Sequence, residues 1–280
     1  MTARLAIHPD VAARAAEVRD RLVAAGVDVE PIGSSQDARR PSRDPLAAIR
    51  ERSADLALVG IQSLRGTASD GLTLLAVLPR EDARDVLVTL GRAPSPLRSL
   101  PPGSRVGVSG ARRRAFLLAH RPDLVSVEIE VATQLDRSDL DAAILSSGDA
   151  RRAGLSNRVG EVLDPRSWLP EPGQGMTAIV ARHPIAEVTG LDHLPTRTAL
   201  RAELALLDAV EAGGGGALGC LAQPSGRLVR LWAAVASVDG TRLVRSDLTA
   251  PLDEPELLGA SVARQLRARG AAWVLQGVSG

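Results

Sequence analysis

Lysine and tyrosine are both missing from this 280-residue chain, and phenylalanine occurs once, as Phe116. Without lysine, every side-chain cation fixed at neutral pH is an arginine. Any cationic contact is therefore a planar guanidinium fork rather than a compact ammonium. With so few aromatic rings, the cores must be filled mainly by Leu, Val and Ala. Cysteine also occurs once, as Cys220, which excludes a disulfide framework and a cysteine-based zinc site. Among His8, His120, His183 and His193 no two have metal-ligand spacing, so no metal is expected. A net charge of +1 lacks the basic excess of a general nucleic-acid binder. No apolar run reaches the ~20 residues of a membrane span, and the N-terminus has no signal-peptide hydrophobic region. A cytoplasmic protein without membrane or nucleic-acid partners is expected. Neither a phosphate-cradling glycine loop nor a G-x-S-x-G elbow is present.

What the chain does have is 45% apolar residues, enough for two or three small domains with real cores. Arg4–Ile7 reads as a strand, Val11–Ala25 as a helix stopped by Gly26, and Val27–Ile32 as a second strand. This βαβ opening argues for a parallel sheet. Strands are expected at Ala54–Gly60, Leu72–Pro79 and Val86–Leu90. The Pro/Ser-rich stretch Ala93–Pro102 has the composition of an interdomain crossing. A second βα unit follows, with strands at Arg105–Val108, Leu124–Val131 and Leu140–Leu145 and a helix over Arg112–His120. Leu169–Gly175 reads as a second crossing and Met176–Val180 as a returning strand. Leu200–Ala212 is a helix that runs into glycines. The remainder reads strand, strand, helix, strand. The expected fold is α/β, two lobes joined by a double crossover, plus a small α+β C-terminal domain. The boundaries are 1–95 with a return at about 173–198, then 96–172, then 199–280. Two such lobes form a cleft suited to a small ligand.

Four stretches draw attention as chemistry. Gly213–Gly226 carries Cys220 just after four glycines, which hold neither helix nor packed strand well. That places the thiol on or beside a flexible loop, where a thiolate could act as nucleophile or attachment point. In Gly107–Arg114 a strand feeds a Ser-Gly turn, and three arginines follow at a helix start. A helix amino terminus favours anions, and arginines there can clamp carboxylates bidentately. Arg151 and Arg152 would lie at the carboxyl edge of the same sheet. Arg80–Asp85 alternates in charge and reads as a self-paired surface turn.

Taken together, LPREDARDVLV (Leu78–Val88), LPPGSRVGVSGARRRAFLLAHRPDL (Leu100–Leu124), DAAIL…ARRAGL (Asp141–Leu155), LPEPGQG (Leu169–Gly175) and LGCLAQPSG (Leu218–Gly226) resemble the hydroxymethylbilane synthase, or porphobilinogen deaminase, family in order and spacing. The resemblance covers most of the chain and is thinner over the first 70 residues. It implies two lobes like those of periplasmic binding proteins and a third domain carrying the cysteine. It implies a dipyrromethane cofactor held by a thioether to Cys220. Four porphobilinogen units are then added head to tail with loss of ammonia, and the linear tetrapyrrole is released by hydrolysis. Arg112 and Arg113 match the family's paired arginines, Arg152 another substrate arginine, and Ser109 a small polar residue beside them. The substrate's acetate and propionate arms make the growing chain a polyanion, which guanidinium forks suit. A monomer acting on a small molecule, porphobilinogen, is implied.

The departures fall mainly in the first lobe. The family's His-Ser-x-Lys-Asp stretch corresponds to Gln62-Ser63-Leu64-Arg65-Gly66. Ser63 is kept, Arg65 stands for lysine, and Gly66 stands where the catalytic aspartate belongs. No catalytic residue is therefore assigned, and Asp70 is the nearby carboxylate that would have to substitute. His8 replaces a first-strand arginine, and the Arg-Gly-Asn-Val loop becomes Glu128-Ile129-Glu130-Val131-Ala132. Losing a positioned acid costs a factor of about 10²–10⁴. Two readings stay open: an active transferase, and a non-catalytic module that binds a pyrrole or another small anion.

Overall fold

Leu56–Val59 and Ala142–Leu145 are apolar without alternation, the pattern of strands covered on both faces. Each becomes the buried middle strand of a five-stranded sheet. The computed structural model describes residues 2–32, 44–64, 71–91, 93–130, 135, 139–211 and 217–271. In chain order the first elements are β1 (Thr2–Ile7), α1 (Ala15–Ala24), β2 (Asp28–Ile32), α2 (Pro45–Arg50), β3 (Leu56–Gly60), β4 (Thr73–Val77), β5 (Asp85–Thr89), β6 (Arg105–Val108) and α3 (Gly110–His120). They are followed by β7 (Val125–Glu128), β8 (Ala142–Ser146), α4 (Ser147–Arg152), β9 (Val159–Val162), β10 (Thr177–Ala181), α5 (Ala186–Thr189) and α6 (Leu194–Glu211). The last are β11 (Ala217–Ser225), β12 (Leu228–Ala236), β13 (Leu243–Pro251) and α7 (Pro255–Leu266).

The chain divides into two compact units. The first comprises residues 1–81 and 175–197. Its sheet has the order β2-β1-β3-β10-β4. β1 lies parallel to β2 and β3, and the returning β10 pairs antiparallel with β3 and β4. α1 buries Val18 and Leu22, one turn apart, against Leu5, Leu56, Leu58 and Ile179. Apolar residues at that spacing dock one helix stripe on the sheet.

The second unit comprises residues 82–174 and 198–280 and holds two sheets. One has the order β7-β6-β8-β5-β9, and the other is the antiparallel meander β11-β12-β13 backed by α7. One apolar cluster joins them: Phe116 and Trp168 pack with Leu87, Val106 and Ile144 of the first sheet and with Ala217, Ala234 and Ala236 of the second. The chain's one phenylalanine is the largest fully buried side chain among the described residues. Its ring meets Trp168 edge-on at 5.9 Å, a favoured aromatic geometry.

Three expectations need correction. β5, expected in the first lobe, pairs with β8 and β9. The first unit therefore ends at Glu81, not near residue 95. Ala93–Pro102 is not a crossing. A Cβ on Gly160 of β9 would sit 2.2 Å from the Ser95 carbonyl oxygen, and Glu161 accepts the Leu97 N–H at 2.8 Å. That Pro/Ser segment is therefore strapped onto the second sheet. Finally, Cys220, expected on or beside a loop, lies on a strand. It is the fourth residue of β11, in register with Ala233, and is fully buried. The glycines at 213–216, and the strand expected over Ala271–Gln276 from residue 272 on, lie outside the described residues. No helix among the described residues is long and apolar enough to cross a membrane.

Candidate active site

The centre of the site is a residue the charge pattern concealed. Asp85, the first residue of β5, is fully buried. Its Oδ2 accepts from Arg112 Nη2 at 2.7 Å and from the Trp168 indole at 2.9 Å. Its Oδ1 accepts from Arg113 Nη2 at 3.0 Å and from Gln174 Nε2 at 2.8 Å. Only the preceding pair fits the expected surface turn: Arg84 is bidentate to Asp82, and both are partly exposed. Burial alone raises a carboxyl pKa. At Asp85 the two guanidiniums overcome that and hold it far below the ordinary carboxylate range.

Arg112 and Arg113 reach Asp85 because of how α3 begins. β6 delivers the chain to Ser109, and Gly110 turns it with φ +79°, a conformation natural to glycine. The first helical turn then points both arginines inward, each only 8% exposed. Arg112 also donates to the Leu169 carbonyl at 2.9 Å and to Gln174 Oε1 at 3.3 Å. Arg113 donates to Ser109 Oγ at 2.7 Å. That hydroxyl makes no capping bond to the helix backbone. Instead the exposed Glu128, at the end of β7, accepts the Gly110 N–H at 3.0 Å. A carboxylate of the protein's own thus occupies the α3 amino terminus, where an anion is expected.

One buried donor is left over. Arg113 Nε is shielded from solvent and has no hydrogen-bond partner among the described residues. An unmet guanidinium N–H is costly in a buried setting, and it is the natural counterpart of a carboxylate from a bound molecule. Asp149 and Glu171 also act on Arg113 through space, but Asp149 is itself bonded to Arg152 at 2.5 Å and to Ser146 at 2.6 Å.

Cys220 is tied to the same region through the backbone. Its N–H donates to the Pro170 carbonyl at 2.8 Å. Two residues on, the Ala222 N–H donates to Glu203 Oε1 at 2.8 Å, and the other oxygen of Glu203 accepts the Gly173 N–H at 2.7 Å. Glu203 sits fully buried on α6. It staples the cysteine strand to the 169–174 segment, and Gln174 of that segment holds Asp85.

Of the residues expected at the site, Ser109, Arg112, Arg113, Arg152 and Cys220 all belong to the second unit. Ser109 joins Arg112 and Arg113 around Asp85, while Arg152, at the end of α4, pairs outside that knot with Asp149. Ser63 lies in the first unit, in the 3₁₀ turn Ile61–Leu64 that follows β3. His8 also lies there, and its Nδ1 accepts the Asp10 N–H at 3.2 Å. Arg65, Gly66 and Asp70 are outside the described residues. Asp85, Trp168, Gln174 and Glu203 were not singled out from the sequence.

Comparison with known proteins adds the following. The sequence model of the family described as "Porphobilinogen deaminase, dipyromethane cofactor binding domain" matches residues 46–190. The chain is 40% identical over 238 residues to a porphobilinogen deaminase of Desulforudis audaxviator, covering 81% of this chain and 76% of that protein. It is 35% identical over 284 residues to the porphobilinogen deaminase of Gloeobacter violaceus, covering 96% and 85%. Among solved structures, a periplasmic substrate-binding protein of an ABC transporter from Coxiella burnetii aligns with a TM-score of 0.46 at 16% identity, over 68% of this chain and 89% of that one.

Proposed function

The chain belongs to the porphobilinogen deaminase family, and from that premise we propose which of its residues carry the reaction. The protein is a transferase of porphyrin biosynthesis. It condenses four porphobilinogen units head to tail, with loss of ammonia, into hydroxymethylbilane. Its cofactor is a dipyrromethane, which when bound supplies the pyrrole terminus from which the product is extended.

The residues present fit that group. Cys220 is the one thiol and forms the thioether. Arg112, Arg113 and Ser109 hold the acetate and propionate arms, with Arg152 on the adjoining helix. Ser63 and Arg65 are assigned to the cofactor as well, on the family match of their stretch. The observation that carries this reading is the buried, partnerless Nε of Arg113. It lies in a knot where one carboxylate, Asp85, faces two guanidiniums. Asp85 fixes the direction of both forks, so a carboxylate arm meets donors that need no reordering. Burial around the arginines keeps water from competing for them.

We read the three sheets as three domains, two α/β lobes and a C-terminal α+β domain. The same reading makes the protein a cytoplasmic monomer that acts on a small molecule, without nucleic-acid or membrane partners. A second reading, a binding module without turnover, is favoured by Gly66 at the position of the family's catalytic aspartate.

Intact mass before and after incubation with porphobilinogen separates them. An active enzyme shows a mass increase of two linked pyrroles, further steps of one pyrrole each, and no increase in Cys220→Ala. A loaded protein that adds no further pyrrole is the binding module. An unmodified wild-type mass under both conditions sinks the assignment of Cys220.

A further inference from the structure

The first unit has a cavity that the reaction does not use. β3 runs from Leu56 toward Ser63, so the family's chemistry belongs to its carboxyl end. At its opposite, amino-terminal end lies an open cavity of about 480 Å³, lined by Arg4, Arg52, Asp55, Arg182 and His183 among others. Three arginines and one aspartate line it.

Two of these cations have evident structural duties. Arg4 is bidentate to Asp55, at 3.0 Å on each bond, and donates to the Arg52 carbonyl at 2.9 Å. It also feels Glu30 on the neighbouring strand. Arg182 donates from Nη1 to the Arg50 carbonyl at 3.1 Å. Both bonds satisfy carbonyls left open at the end of α2. Each guanidinium spends only part of its five donors this way.

Arg52 is different. Its side chain makes no hydrogen bond or ion pair among the described residues, yet it is the one non-glycine there with positive φ, +58°. It follows α2 in the usual helix-ending arrangement: its N–H bonds to the Ile49 carbonyl at 3.2 Å, and the Ser53 N–H bonds to that of Ala48 at 3.0 Å. Glycine commonly fills that position because it bears the left-handed conformation without strain. An arginine there accepts a backbone cost, and it lines the cavity with a side chain that has no partner among the described residues.

We propose that this cavity binds a small dianion, a phosphate or a dicarboxylate, with Arg52 as its free clamp and Arg4 and Arg182 as fixed walls. Two net positive charges among the lining residues match two negative charges on the ligand.

The decisive variant is Arg52→Gly, because it removes the guanidinium while relieving the backbone. Titration calorimetry of the full chain with inorganic phosphate and with succinate, at constant ionic strength, reads the binding. The wild type is expected to bind at least one of the two at a single site. Arg52→Gly is expected to unfold at a higher temperature yet to bind roughly tenfold more weakly or worse, the weight of one charged hydrogen bond. Arg182→Ala should weaken binding as well. Binding of phosphate alone marks a phosphate ligand, and of succinate alone a dicarboxylate. Absence of binding by the wild type, or equal binding by Arg52→Gly, overturns the proposal.

Discussion

Arg112 and Cys220 hang from consecutive carbonyls. Nη1 of Arg112 donates to Leu169 at 2.9 Å, and the N–H of Cys220 donates to Pro170 at 2.8 Å. The spacing between the buried cation and the thiol-bearing residue is therefore set across one residue, Pro170, whose ring fixes its φ.

That close approach depends on Gly219. A Cβ there would lie 2.7 Å from the Leu169 carbonyl oxygen and 3.0 Å from the Phe116 ring. Gly219→Ala is expected to push β11 off the segment, at a cost of about 1–3 kcal/mol. Chemical denaturation should report the loss, and intact mass should show a reduced fraction carrying two pyrroles.

Asp85→Asn removes the charge to which both buried guanidiniums are bonded. Breaking a buried pair in this way costs about 3–5 kcal/mol. Arg112 and Arg113 then repel each other and lose their shared aim. The variant should unfold at clearly lower denaturant and carry less cofactor than wild type. Unchanged stability would mean that the clamp contributes nothing.

The same residue sets a pH dependence. Its folded-state pKa is depressed by Arg112 and Arg113 against the opposing effect of burial. The stability it contributes is therefore complete above the unfolded carboxylate pKa of about 4 and fades as pH falls toward the folded value. The gap in urea midpoint between wild type and Asp85→Asn should stay constant from neutral pH to about 5 and close below about 4. A gap that closes near neutrality would argue against it.

Glu128 occupies the α3 amino terminus beside the proposed arginine clamp. Making it neutral in Glu128→Gln removes a resident anion worth about 0.3–1 kcal/mol at such a site. Steady-state KM for porphobilinogen should fall about two- to fivefold, and kcat should change less. A rise in KM would show instead that Glu128 serves to shape the turn.

Arg112, Arg113, Ser109 and Cys220 could be named from the sequence because their motifs are local. What organises them is not. Asp85 lies 27 positions before Arg112, in a run whose alternating charges mimic a solvated turn. Nothing local says that Asp82 meets water while Asp85 starts a buried strand. Glu203 did leave a signal. On α6 it stands four residues after Ala199 and three before Leu206, both buried. A carboxylate in the middle of an apolar stripe has to find donors. Cys220 reads as on or beside a loop because the glycines before it dominate the pattern. The strand begins right after them, where Ala217, Leu218 and Cys220 are all buried. The two sheets of the first two thirds followed from βα periodicity, but β5 changed sheets because strand pairing is non-local.

The segment that steadies the cysteine also closes an exposed strand border. β11 pairs with β12 on one side only, and an unpaired side of that length is a template for adding a strand from another molecule. At alternate positions along it, the Cys220 N–H is taken by Pro170, the Ala222 N–H is taken by Glu203, and Pro224 has no N–H to offer. Along these positions, the contacts that align the thiol with its arginines also leave no donor ladder for intermolecular β-pairing. Loosening them for the sake of a wider substrate range would invite self-association along the cysteine strand.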